Sequence, residues 1–371
     1  MTIRRIAASE LALGQALPWD VYGEGGGMLA KKGHLLASAN QIEMLLERGF
    51  VGEDVAPIHH EPPSVLRMLN LACVRLQAAL EAIAGGRLQH ELHELQEVAG
   101  MLADALRLDS DVALACILLN QAAGPYPVRH GIDSAIVAMI VARALKRPEP
   151  EVLSLTMAAL TMNVGMLRHH ERFQGATEPL PAADLGYIRD HAAAGVALLR
   201  AAGVDDEAWL ACVLQHHENE DGSGYPAAIA SAQIGPAAKI VMLADRYCAR
   251  VGARAYRKTM LPNAALRDLL LQGKETVDAH LASVLIHELG IYPVGTFVKL
   301  LSGEIGVVTR QGAHSTTPHV LSLLGPWGGP LEPPLRRDSK IERHAIREVL
   351  SAAQAGLSFR LEQVWGGVAK I

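Results

Sequence analysis

From residue 64 to about residue 290 the apolar residues recur almost without a break at helical spacing, and that pattern fixes the fold class. The stretches "VLRMLNLACVRLQAALEAIAGG" and "LQHELHELQEVAGMLADALRL" each carry one apolar stripe and one polar face. Ala, Leu, Met and Arg dominate them, and all four are good helix formers. The spacing predicts further helices near 108–120, 131–146, 151–168, 187–202, 205–218, 233–251 and 278–289. Half of the residues are hydrophobic but only 4% are aromatic, so the core of this helical bundle must be aliphatic. The chain reads as mainly α, with smaller β-rich pieces at either end.

Residues 1–56 form the first such piece. "LALGQALPWDVYGEGGGMLAKKGHLL" reads as strand, glycine-rich turn and strand. "SANQIEMLLERG" then reads as a short helix, capped by Ser38 and stopped by Gly49. A helical linker region, 57–107, opens on the proline-containing "HHEPPS", and the main helical domain covers 108–292. The remainder, 293–371, reads as a β-rich extension with a terminal helix. In it "YPVGTFVKLLSGEIGVVTR" predicts a hairpin, "GPWGGPLEPPLRRD" an irregular stretch, and the last thirty residues a helix followed by a short strand.

The formal net charge of −5 argues against a broad basic surface for DNA or RNA. A small anion held by a few local arginines is compatible with it. Cys73, Cys116, Cys212 and Cys248 are scattered through helix-like stretches and read as reduced core residues. The N-terminus is a poor signal peptide. The most apolar window, "AIVAMIVARAL", is broken by Arg143 and too short to span a bilayer. These features predict a soluble cytoplasmic protein with no membrane partner.

The triplet His-His-Glu occurs three times, at 59–61, 169–171 and 216–218, and only the third runs into a glycine-rich loop, "HHENEDGSGYP". Gly222 and Gly224 permit tight backbone geometry there, and Pro226 fixes the exit. A metal site needs lone pairs converging from several elements, and the candidates are His130, His191, His216, His217 and Asp245. Asp245 follows a strongly apolar run, an expensive place for an unpaired carboxylate. The plain structural alternatives are a salt bridge from Asp245 to Arg246 and solvated or structural histidines.

"HHENEDGSGYP", followed by "GPAAKIVMLADRYCARVGARAYR", resembles the signature half of HD-GYP domains over about 126–292. The resemblance implies a helical, HD-superfamily, metal-dependent phosphohydrolase framework acting on the bacterial messenger cyclic di-GMP. It implies metal ligands at His130, His191, His216, His217 and Asp245, with iron or manganese as the usual ion. It also implies nucleotide contacts at Gly224, Tyr225, Arg254 and Arg257, with Ala255 in place of the usual proline.

The resemblance breaks at the dyad that names the family. In "AALTMNVGML" Gly165 remains, but Met162 stands in the place of the histidine, Asn163 of the aspartate and Met166 of the lysine. Tyr126 stands where some members carry a glutamate for a third metal. Asparagine offers one neutral carbonyl oxygen and cannot join two cations as a carboxylate does. Methionine is a soft donor, poorly suited to a hard ion. His170 lies two helical turns, roughly 10 Å, beyond Asn163, too far for a direct substitution. Three readings follow. The first is a signalling regulator with weak or no hydrolysis, acting through nucleotide or partner-protein binding and holding one metal or none. The second is a phosphodiesterase with an altered site. The third is a protein-interaction scaffold.

Overall fold

The computed structural model describes residues 3–12, 15–36, 38–52, 62–87, 90–120, 123–169, 181–253, 259–271 and 276–371. The chain divides into two compact units, Met1–Pro62 and Pro63–Ile371.

The first unit holds strands β1 (Ile3–Arg5), β2 (Val21–Tyr22) and β3 (Met28–Ala30), helix α1 (Ala39–Arg48) and strand β4 (Phe50–Gly52). They form one antiparallel sheet in the order β1-β4-β2-β3. Ser38 caps α1 through a reciprocal pair with Gln41, and Gly49 ends it. A Cβ at Gly49 would strike Leu45 O, Ile6 and Val21. The small core gathers Ile6, Leu17, Trp19, Val21, Leu36, Leu45 and Val51.

The second unit opens with α2 (Val65–Gly85), α3 (Glu91–Leu108), α4 (Ser110–Leu119), α5 (Tyr126–Ala144) and α6 (Glu149–Thr161). A 3-10 turn, Val164–His169, follows α6. Then come α7 (Ala182–Ala201), α8 (Glu207–Gln215), α9 (Pro236–Val251), α10 (Pro262–Leu271) and α11 (Ala279–Leu289). Helix α5 is buried on almost every side and packs against α6 and α9, which makes it the axis of the bundle. The core is aliphatic, with Leu76, Leu95, Leu102, Ile136, Leu155 and Leu199 fully buried. Each filled side chain of this kind contributes roughly 1.5–3 kcal/mol. All four cysteines are free and buried. Among the described residues Val65–Gly85 and Glu149–His169 are long and apolar enough to cross a membrane by length and composition. Both lie in the bundle, their windows 44% and 56% buried.

The C-terminal portion is a five-stranded antiparallel sheet in the order β8-β7-β6-β5-β9. Its strands are β5 (Phe297–Leu300), β6 (Ile305–Arg310), β7 (His319–Leu324), β8 (Pro330–Asp338) and β9 (Ile346–Leu350). Val298, Leu300, Val308 and Val320 join the same core as the helices. Two features depart from the sequence reading. The proline-rich stretch is strand β8, not irregular, because it runs along the sheet edge, where prolines are tolerated. The tail has its strand first and its helices last. β9 pairs with the free side of β5, and α12 (Ala352–Ala355) and α13 (Leu361–Trp365) follow.

Candidate metal centre

Gly124, with φ of 127°, turns the chain in a conformation that favours glycine, and Pro125 then starts α5. One turn in, His130 is 4% exposed. Its Nε2 lies 2.7 Å from Asp245 Oδ1 on α9, and its Nδ1 lies 3.3 Å from the Tyr126 hydroxyl. The two rings stack with centroids 5.2 Å apart. The partner of Asp245 is therefore His130 and not Arg246, whose guanidinium is turned toward Asn219 and Thr276. Burial alone pushes the Asp245 carboxyl up. The hydrogen bond from His130 and the imidazoles facing it outweigh that and hold it well below the usual carboxylate range.

His191 sits mid-way along α7, 1% exposed, and its Nδ1 donates to Ile188 O at 2.6 Å. Asp206 caps α8 by accepting from Ala208 N and Trp209 N. The helix ends at Gln215, earlier than the spacing predicts, because Glu218 N bonds back to Gln215 O in a tight turn. His216 and His217 thus leave a helix end, where both point inward. His216 is fully buried, and its Nδ1 donates to Val213 O at 2.7 Å.

A carbonyl oxygen only accepts, so in both rings Nδ1 carries the proton and Nε2 the lone pair. The two Nε2 atoms face each other at 3.2 Å. The ligand atoms of His191, His216 and His217 all lie within 4.8 Å of one another. Burial, helped by the neighbouring His216, lowers His191 to about 4. Burial also lowers His216 and takes His217 well down. Neutral rings do not place a shared proton between the two Nε2 atoms. Opposed lone pairs beside a carboxylate match two donors on one cation with N–metal bonds of about 2.1 Å. The three converging imidazoles fit a single divalent transition ion, and Asp245 is not one of that converging group.

The glycine-rich loop is clamped against this cluster. Glu218, 1% exposed, accepts from Ala227 N at 2.7 Å and Ile229 N at 3.1 Å. Lys239 ties Glu220 at 2.9 Å. A Cβ at Gly224 would collide with Glu218 Cα and Asn219 N, so the loop closes only with glycine there. Tyr225 is placed by this closure, stacked on His217 with centroids 4.7 Å apart. The sequence reading took Glu218 only as part of a triplet. Its role as a clamp depends on backbone N–H groups nine and eleven residues on, which no local pattern reveals.

The turn after α6 lies beside the cluster. A Cβ at Gly165 would overlap His191 O and Gly195 N, so two glycines allow the turn to touch α7 at His191. Met162 is fully buried in the aliphatic core. Asn163 is half-buried and its carbonyl accepts from Met166 N. Met166 is half-buried as well. Of the other triplets, His169 packs against Tyr187, while 59–61 and 170–171 lie outside the described residues. So do Arg254 and Arg257.

The HD-domain family model matches residues 86–281, more than half of the chain. The chain belongs to the HD-domain family, in its HD-GYP branch. It is 27% identical over 260 residues to cyclic di-GMP phosphodiesterase PA4108 of Pseudomonas aeruginosa, covering 69% of this chain and 62% of that protein. It is 22% identical over 196 residues to cyclic di-GMP phosphodiesterase PdeB of Borreliella burgdorferi, covering 53% of this chain and 52% of that one. The HD-GYP chain thus spans about half to three fifths of the length of these relatives. The solved structure of Bd1817, an HDG"Y"P protein from Bdellovibrio bacteriovorus, superposes with a TM-score of 0.51 at 14% identity. It covers 76% of this chain and 98% of that one, and it supports the helical fold.

Proposed function

We propose that this HD-GYP domain is a signalling regulator that holds one metal ion and a guanine-containing cyclic dinucleotide but hydrolyses it weakly or not at all. The observation that carries the reading is the pair of opposed Nε2 lone pairs at 3.2 Å, set beside a turn that offers Met162 and Asn163. His191, His216 and His217 hold the ion, with Asp245 supplying a nearby carboxylate and His130 bonded to it. When bound, such an ion supplies positive charge for a phosphate oxygen. Asp245 keeps its negative charge in the interior, and His130 orients it. Tyr225, stacked on His217, closes one side of the centre against water. Gly224 lets the backbone come close to a ligand. Asn163, being neutral, does not join a second cation, and Met162 is turned into the core. Regulation then runs through nucleotide-dependent contacts with signalling proteins.

Incubation of the purified protein with cyclic di-GMP and iron or manganese tests this. The expected result is metal-dependent binding without robust turnover. Robust turnover that disappears in His217→Ala contradicts it. That outcome belongs to the second reading, an active metal-dependent phosphodiesterase, which the names of both relatives favour.

A further inference from the structure

Helix α2 buries one face and leaves a narrow stripe in solvent. Its exposed positions are Leu71, Val74, Ala78, Glu81 and Gly85, at alternating steps of three and four residues. That is the spacing of a coiled-coil seam. Leu71 is 52% exposed and Val74 67%, side by side in the middle of the helix. The opposite side of α2 already fills the core through Leu69, Leu76, Leu80 and Ile83. The stripe is therefore a second apolar face, which the bundle does not use.

The charges along this face are ordered. Arg67 lies on the same line, one turn before Leu71, and Glu81 lies one turn after Ala78. Arg67 and Glu81 each stand seven residues from Val74, so the line is balanced about the valine. Laid antiparallel on itself, it sets Val74 on Val74, Leu71 against Ala78 and Arg67 against Glu81, each contact occurring twice by the two-fold. A parallel pairing would set like charge on like charge. Beside the stripe, Arg75 is held by Glu94 of α3 at 2.9 Å and by Glu97 at 3.8 Å. With Glu81 these carboxylates disfavour an anionic lipid surface.

We propose that α2 is a self-association surface, on which two copies of this chain pair antiparallel through Leu71, Val74 and Ala78, with Arg67 of each copy against Glu81 of the other. Glu81 and Gly85 also line a cavity of about 670 Å³ between α2, the start of α5 and the 3-10 turn, so the second copy borders its rim.

Sedimentation velocity of the full chain over a concentration series tests this, and a monomer–dimer equilibrium is expected. Val74→Asp sets two like charges at the axis and is expected to weaken the dimer at least about a hundredfold. Its melting at monomer concentrations is expected to match the wild type, because Val74 faces water in a single copy. Arg67→Glu is expected to weaken the dimer about tenfold, and the double variant Arg67→Glu, Glu81→Arg to restore it. Under mild oxidation Val74→Cys is expected to crosslink to its own copy. Ala78→Cys is not, because the antiparallel copies hold that position about 12 Å apart along the axis. The native cysteines are buried and do not compete. A single-chain mass at every concentration, a dimer indifferent to Val74→Asp, or self-crosslinking of Ala78→Cys as fast as that of Val74→Cys overturns the proposal. So does a monomer that binds anionic vesicles through Val74, which makes the face a membrane surface. A monomer in which Val74→Cys resists thiol labelling places a segment of the same chain on the stripe and overturns it as well.

Discussion

His191 and His216 meet nitrogen to nitrogen, 3.2 Å apart, each with its other ring nitrogen committed to a backbone carbonyl. The arrangement asks for a cation and dictates a pH response. His191 titrates near 4 in the fold against 6.5 unfolded, because burial disfavours the imidazolium. The unfolded chain therefore takes up the proton first. This group's contribution is present above about pH 6.5 and is lost as pH falls through 4, roughly 3 kcal/mol in all. Metal-free protein denatured at a series of pH values is expected to lose stability over that window. In His191→Leu the loss is expected to be smaller. An unchanged slope contradicts the assignment.

Gly165 is the point where the turn touches α7. Gly165→Ala places a methyl group into His191 O and Gly195 N. Overpacking of this kind costs about 1–3 kcal/mol and displaces His191. A lower melting temperature together with reduced manganese retention is expected. Full metal retention speaks against the turn as a support of the centre.

Glu218 spans the loop. Glu218→Ala leaves two backbone donors without their acceptor, at about 1–3 kcal/mol. Protease cleavage within 219–229 is expected to accelerate. Resistance equal to the wild type would falsify the clamp.

Asp133 lies one turn beyond His130, with Cys73, Cys116, Tyr247 and Cys248 all within its electrostatic reach. Burial pushes its carboxyl up to about 8, and Arg129 only partly offsets this. The unfolded chain loses this proton near pH 4, so the group costs stability increasingly as pH rises through 8. Asp133→Asn is expected to be more stable than the wild type at pH 9, with the difference vanishing toward pH 4. Parallel melting curves across that range contradict it.

The helical core was legible because its apolar spacing is long and uninterrupted, and α1 because Ser38 and Gly49 are strong local signals. Strand β8 was hidden because proline is read as a breaker until the strand is known to lie at an edge. The order of the tail was hidden too, since β9 is held by pairing with β5, nearly fifty residues earlier. In the centre, the histidines and Asp245 stood out by residue type and by resemblance. The bond from Asp245 to His130 did not, because it joins residues 115 apart, and sequence proximity pointed to Arg246 instead.

The central claim is a single ion held by the histidine cluster, with nothing from Asn163 to bind a second. Anomalous scattering from crystals grown with manganese tests it most directly. One peak within bonding distance of His191 Nε2 and His216 Nε2 is predicted. Two peaks bridged near Asn163, or none in the cluster, contradict it.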